Sequence, residues 1–341
     1  MDWVRGVRVG QGSFATVDLA APRGGGAQGL PPVMAVKSCG FAKSAALMEE
    51  KLILDELRDC PNVVGCFGES VSYENGEKLY NVLLEYAAGG DLAARVRNSG
   101  DRRLPEFDVR RYTKGVIRGL DYIHKAGIVH CDIKLQNILL QGQNGVVKIA
   151  DFGLAKRLGA RNGDVLRGTP MYMSPEMVAG GEVGAAADIW AVGCAVAEMI
   201  AGAPAWRCAD LAGLLLRIGA GDELPEIPDD LSADGQDFLT KCFVKDPSKR
   251  WTAEMLLDHP FISGQDLADG EAATASTSPR CVFNFPDWAS SITSLPSPEY
   301  SSESSSQNGS WSSAAAGRRL GIVSGSDGPK WSVSDEWVTV R

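Results

Sequence analysis

Asp132 and Asp151 stand nineteen positions apart, the first inside HCDIKLQN (130–137), the second opening DFG (151–153). Two carboxylates on separate short segments suit a reaction in which one takes a proton from a hydroxyl. The other holds a metal ion against a chain of phosphates. DFG alone is too short to carry that reading. Its company carries it: GQGSFATV (10–17) and the lysine of AVK (35–37) lie upstream, and GTPMYMSPE (168–176) lies downstream. Together they suit a site that would move a terminal phosphoryl group onto a hydroxyl.

Such residues need elements to position them. Residues 3–38 read as three strands: two in VRVGQGSFATVDLA, joined by a glycine turn, and a third in PPVMAVKS. The stretch AAPRGGGAQGLPP (20–32) reads as a flexible connection. A helix follows from about Lys43 to Arg58, then strands near 63–71 and 79–85 separated by the polar turn YENGEK. From residue 91 the pattern turns helical. Val109, Tyr112, Val116, Leu120 and Ile123 recur at helical spacing along one face. AAADIWAVGCAVAEMI (185–200) is apolar nearly all round, as a helix buried inside a lobe would be.

The glycine stretch by itself is ambiguous, because GxGxxA also occurs in dinucleotide-binding folds, where it opens a helix. Here TVDLA continues as an alternating strand and meets Pro22, which favours a loop over nucleotide phosphates between two antiparallel strands. In the helix 43–58, Glu50 falls on the apolar face made by Leu47, Leu54 and Leu57. A carboxylate there is costly to bury unless paired, and Lys37 is the evident partner. Glu49 points about 100° away from that face, so it is set aside despite its adjacency.

These motifs resemble the protein kinase family, and the resemblance runs from about residue 3 to residue 262. It implies an α+β bilobal fold: a small antiparallel sheet with one helix (about 3–86) over a mostly helical lobe (about 87–262). It implies ATP and Mg2+ as cofactors. Gly10, Gln11, Gly12, Ser13, Phe14 and Ala15 would cover the phosphates, Ala15 standing where a third glycine is usual. Val17 and Ala35 would line the adenine, and Leu84, Glu85 and Ala87 would form the hinge behind it. Asp91 would contact the ribose or cap a helix. Lys37 would bind the α- and β-phosphates, held by Glu50. Asp132 would be the base, Lys134 would neutralise the γ-phosphate, and Asn137 and Asp151 would ligate the metal. Thr169 would contact the base and the lysine beside the substrate. Glu176 with Arg250, and Asp188 beneath the catalytic loop, would be structural supports. Lys134, two residues after the base, resembles serine/threonine kinases.

The loop reads His-Cys-Asp, where the family usually has arginine at the position of Cys131. That arginine commonly receives an activation-loop phosphate. Residues 154–168 contain no Ser, Thr or Tyr, so acceptor and receiver are both missing and control is expected to come from elsewhere. The early start, GTPMYMSPE and HCDIK further resemble the MEKK-like MAP kinase kinase kinases of plants. This resemblance implies MAP kinase kinases as protein substrates, in stress or hormone signalling, abscisic acid included.

Composition excludes other classes. The net charge of −9 divides into −5 for residues 1–262 and −4 for 263–341, so nucleic acid and anionic membranes are poor partners. No signal-peptide pattern opens the chain, and AVGCAVAEMIA (191–201) is too short to span a bilayer. Eight cysteines without a CxxC pair read as reduced thiols of a cytoplasmic or nuclear protein. Residues 263–341 hold 19 serines and the spaced Trp288, Trp311, Trp331 and Trp337, a composition expected of a largely disordered tail. Ser278-Pro279 and Ser297-Pro298 there are candidates for proline-directed phosphorylation. Three readings compete: a kinase-fold scaffold without catalysis, a nicotinamide-dependent oxidoreductase, and a serine/threonine kinase with other substrates. The complete set Lys37, Glu50, Asp132, Asn137 and Asp151 argues against the first, and the strand after the glycine turn against the second.

Overall fold

A computed structural model describes residues 3–264, apart from Ser13, 24–28, 143–144, 160–166 and 209. Its first part is a five-stranded antiparallel sheet. β1 (Trp3–Gln11), β2 (Thr16–Pro22) and β3 (Met34–Gly40) come first, then helix α1 (Ala45–Glu56), then β4 (Cys66–Glu74) and β5 (Glu77–Glu85). The spatial order is β1-β2-β3-β5-β4. β3 is buried on both faces, which explains its unbroken run of small and apolar residues. One face joins the main core through Val17, Ala35, Leu54 and Val82. The other closes on Ala20, Met34, Val36 and Leu83, with Trp3, Leu30 and Phe67 packed against them. Arg5 crosses that outer face to Asp18 (2.7 Å), Ser38 (3.0 Å), Asn81 (2.8 Å) and Glu74 (2.8 Å), tying all five strands together.

Several expected strand boundaries move. β2 runs on to Pro22, so the connection begins later than residue 20. The YENGEK turn shrinks to Asn75-Gly76, with positive φ at both residues (51° and 82°). That is the type I′ geometry whose twist matches the flanking strands, so β4 and β5 pair down to Glu74 opposite Glu77. Val63 lies outside β4 and bridges to Ile149 of the other lobe.

The helical lobe begins with α2 (Leu92–Asn98) and α3 (Glu106–Lys125). Three short strands, β6 (Ile128–Val129), β7 (Ile138–Gln141) and β8 (Val146–Ile149), bracket the catalytic loop, and β9 (Lys156–Arg157) follows DFG. β6 pairs with β9, and β7 with β8. The lobe is completed by α4 (Pro175–Ala179), α5 (Ala185–Ala201), α6 (Leu211–Ala220), α7 (Ala233–Cys242), α8 (Ala253–Leu257) and α9 (Pro260–Ser263). Val109, Tyr112, Val116, Leu120 and Ile123 form the buried face of α3, and α5 is buried on every side from Ala187 to Ala197. No helix among the described residues is long and apolar enough to cross a membrane. Residues 265–341, with Ser278, Ser297 and the four tryptophans of that segment, lie outside the described residues.

The lobes are tied behind the cleft. The segment between α1 and β4 is bonded to β8: Val64 N–H donates to Ile149 O (2.9 Å), and Ile149 N–H donates to Asn62 O (2.7 Å). Asn62 Nδ2 also donates to Val147 O (3.0 Å). Lys148 of β8 pairs with Glu85 at the end of β5 (2.9 Å).

Candidate active site

The glycine turn closes β1 onto β2. Gly10 faces Val17 across the pair, and Gly12 N–H donates to Ala15 O (2.8 Å). The segment after the turn is strand, as a loop between antiparallel strands requires and a dinucleotide fold forbids. Ala15 is buried at the position expected for a third glycine. Phe14 is 83 % exposed at the tip and Gln11 is also exposed, so this turn points their side chains outward. Ser13 lies outside the described residues. Val17, Ala35, Leu84 and Ala87 are buried around the place where an adenine would enter. Glu85 is held on three sides. Its N–H donates to Gly65 O (2.8 Å), and its carboxylate accepts from Gly65 N–H (3.0 Å) and pairs with Lys148. Its side chain is thereby turned away from the place where a base would sit, toward Gly65 and Lys148. Asp91 takes the helix-capping role, its carboxylate accepting from Ala94 N–H (2.6 Å) at the start of α2.

Lys37, Glu50 and Asp151 converge. The ammonium lies 2.9 and 2.7 Å from the two oxygens of Glu50 and 2.7 Å from Asp151 Oδ1. Glu50 is buried with Leu47, Ile53 and Leu54 on one face of α1, while Glu49 is exposed. Burial opposes charge on all three groups. At Lys37 the Asp151 and Glu50 carboxylates overcome burial and raise its pKa. One positive charge set between two negative ones leaves one negative charge uncompensated. Burial therefore prevails at Glu50, whose pKa is raised, whereas Lys37 holds Asp151 below the usual carboxylate value. The contact between Lys37 and Asp151 is not legible in the sequence, since 114 positions separate them.

The catalytic loop is held by its own backbone and two histidines. Asp188 of α5 accepts from His130 N–H and Cys131 N–H, both at 2.9 Å, and from the His124 ring at 2.9 Å. Against burial, these bonds keep Asp188 below the usual carboxylate range. His130 donates from Nε2 to Ala150 O (3.1 Å), accepts from Asp132 N–H at Nδ1 (3.2 Å), and packs edge-on against Phe152 (4.8 Å). That one ring links the two carboxylate-bearing segments. Sequence reasoning missed this role of His130, although a histidine two residues before the aspartate was the available signal. Asp132 itself is surrounded by donors. Thr169 N–H (3.0 Å) and Oγ1 (2.7 Å) reach Oδ1, and Asn137 Nδ2 (3.1 Å) and Lys134 Nζ (3.0 Å) reach Oδ2. Lys134 also donates to Thr169 Oγ1 (2.9 Å). Asn137 Nδ2 donates in addition to Asp132 O (2.8 Å), which fixes its amide and leaves Oδ1 as the free-facing hard donor.

Cys131 and Asp151 both adopt left-handed backbone (φ 66° and 64°), a cost of about 1 kcal/mol or more each that tends to collect at functional sites. The Cys131 thiol is buried, sits 3.6 Å from Val129 O, and has its pKa pushed up by burial. Gly168 has φ +105°, and a Cβ there would lie 2.8 Å from Cys131 O, so this residue lets the GTP segment press against the loop. The segment is anchored further on by Glu176, whose carboxylate meets the Arg250 guanidinium at 2.7 and 3.1 Å.

No group of three or more His, Cys, Asp or Glu that could hold a metal ion occurs among the described residues. Two oxygen donors, Asn137 Oδ1 and an Asp151 carboxylate, instead suit a hard cation that completes its shell with phosphate oxygens and water. The donor set therefore fits a divalent metal brought in with a nucleotide.

The protein kinase domain family matches residues 3–262. Mitogen-activated protein kinase kinase kinase 20 of Arabidopsis thaliana is 47% identical over 360 residues, covering 100% of both chains. Mitogen-activated protein kinase kinase kinase 18 of the same plant is 38% identical over 357 residues, covering 100% of this chain and 99% of its own. Mitogen-activated protein kinase kinase kinase 17 is 41% identical over 268 residues, 77% of this chain and 70% of its own. Family membership brings ATP and a divalent metal with it, in agreement with the donor set. The chain belongs to the protein kinase family and is a serine/threonine protein kinase, similar over its whole length to plant MAP kinase kinase kinases.

Proposed function

We propose that this kinase is a MAP kinase kinase kinase that transfers the γ-phosphoryl group of ATP to Ser or Thr of MAP kinase kinases. The observation that carries the reading is the assembled trio, Lys37 within 2.9 Å of Glu50 and of Asp151, with the Asp132 segment joined to it through the His130 ring. Lys37, oriented by Glu50, would hold the α- and β-phosphates. Asn137 and Asp151 would hold Mg2+, which supplies charge neutralisation on the triphosphate when bound. Asp132, its plane set by Thr169, Asn137 and Lys134, would orient the acceptor hydroxyl and take its proton late in transfer. Lys134 would follow the charge on the transferred group. Full-length similarity to relatives named as MAP kinase kinase kinases supports the substrate class. The same reading places the protein in cytoplasmic or nuclear stress or hormone signalling, abscisic acid included, and makes Ser278 and Ser297 acceptors for feedback by a proline-directed kinase.

The test is transfer of labelled phosphate from ATP to purified, catalytically dead MAP kinase kinases. Incorporation at Ser or Thr, absent with Asp132→Asn, is the expected result. Good activity on a generic peptide with none on any MAP kinase kinase would overturn the substrate assignment.

A further inference from the structure

Helix α1 carries Glu50, so whatever fixes α1 fixes the Lys37 pair. Six residues beyond Glu50, at the last position of the helix, stands Glu56. Its carboxylate is gripped at both oxygens by the guanidinium of Arg157, Nη1 donating to Oε2 (3.0 Å) and Nη2 to Oε1. Two parallel bonds of this kind define direction as well as distance, which a single ammonium contact does not. Arg157 lies in β9, opposite Ile128 of β6, and Leu158 N–H donates to Gly127 O (2.8 Å). β6 runs directly into His130, Cys131 and Asp132. One side-chain pair thus ties the helix bearing Glu50 to β9, the partner of the strand that feeds the catalytic loop.

The surrounding sequence gives this contact its task. Residues 154–168 offer no hydroxyl to phosphorylate, and Cys131 offers a buried neutral thiol where a cation would receive a phosphate. Yet α1 is in place and Lys37 is paired. We propose that Glu56 and Arg157 form a built-in clamp that holds α1 in its assembled position, in place of an activation-loop phosphate. They are positioning residues: neither touches the Lys37–Glu50–Asp151 group, and they act on it through α1 and β9. The proposal rests on the catalytic reading above.

Full-length wild type, Arg157→Ala, Glu56→Ala and the exchanged pair Glu56→Arg with Arg157→Glu are compared in ATP hydrolysis without added acceptor. Asp132→Asn serves as the inactive control. Wild type no faster than that control would sink the catalytic reading itself, separately from the clamp. Given turnover, each single variant is expected to lose about fivefold in kcat with little change in nucleotide KM, as the assembled population falls. The exchanged pair recovers most of it. Wild type should lose the same advantage between about 0.05 and 0.5 M salt, with Arg157→Ala indifferent, because the pair is exposed and screened. Circular dichroism of each variant separates loss of the clamp from loss of the fold, and Glu56→Gln, which keeps the shape and removes the charge, stands in for Glu56→Ala if that variant folds poorly. Single variants as fast as wild type, an exchanged pair as slow as the singles, a flat salt profile in the wild type, or a strict requirement for phosphate on Thr169 would each overturn the clamp.

Discussion

Asp132 receives donors from Thr169, Asn137 and Lys134, an arrangement that fixes where its oxygens point before any substrate arrives. Replacing it with asparagine keeps the shape and removes the proton acceptor. Turnover should fall about 10²–10⁴-fold while nucleotide affinity, measured by titration calorimetry, changes little. Unchanged turnover would mean that the proton leaves by another route. A second carboxylate carries a pH signature. Glu198, in α5, is pushed up from 4.5 to about 7 by burial, with the Tyr172 hydroxyl and the Arg97 charge pulling the other way. Below about pH 4.5 it is protonated folded or unfolded and costs nothing. As pH rises through the window from 4.5 to 7 the unfolded chain ionises first, so stability falls, and above 7 the loss levels off at about 3 kcal/mol. Glu198→Gln removes that slope. In urea unfolding, the wild type should lose about 2 kcal/mol more than the variant between pH 5 and pH 8. Parallel losses would show that Glu198 titrates normally.

Elements in the helical lobe are locked by buried polar contacts. Arg250 meets Glu176 with two bonds and also donates to Val244 O (2.8 Å) and Ala186 O (2.7 Å), with Trp190 under its guanidinium at 5.1 Å. Removing either partner strands a buried charge. Glu176→Ala or Arg250→Ala should cost about 3–5 kcal/mol in denaturant unfolding, and the double replacement less than the sum. Full additivity would show that the two ions do not interact. Much of this level is legible in the sequence. The stripe Val109, Tyr112, Val116, Leu120, Ile123 dictates α3, and the place of Glu50 among leucines separates it from Glu49. Less legible is what depends on the path of the chain. Asn75-Gly76 is enough to close the β4–β5 hairpin, so the longer polar turn expected from YENGEK was too wide. The grip of Arg157 on Glu56 joins residues 101 positions apart, and no local pattern marks it. The same holds for Lys148 with Glu85, whose charges look like ordinary surface residues until β8 is laid beside the end of β5.

On the scale of the whole molecule, fold and chemistry separate cleanly. No described group of side chains holds a metal by itself, whereas the proposed reaction requires one delivered with ATP. Chelation should therefore abolish turnover and leave the melting temperature unchanged, with turnover returning on adding magnesium. A large drop in melting temperature on chelation would reveal a structural ion. The fastenings between the lobes restrict how the cleft can open. Asn62 and Val64 on one side and Glu85 on the other are pinned to the same short strand, β8, by bonds of 2.7 to 3.0 Å. Two pins on one line favour a swing about that line once the contacts of Glu56 with Arg157 and of Lys37 with Asp151 let go. The glycine turn between β1 and β2, two to three strand spacings or about 10–14 Å across the sheet from β5, would then sweep a wide arc. The end of α1 stays near the axle, so the door can open for nucleotide exchange with little travel at its hinge side.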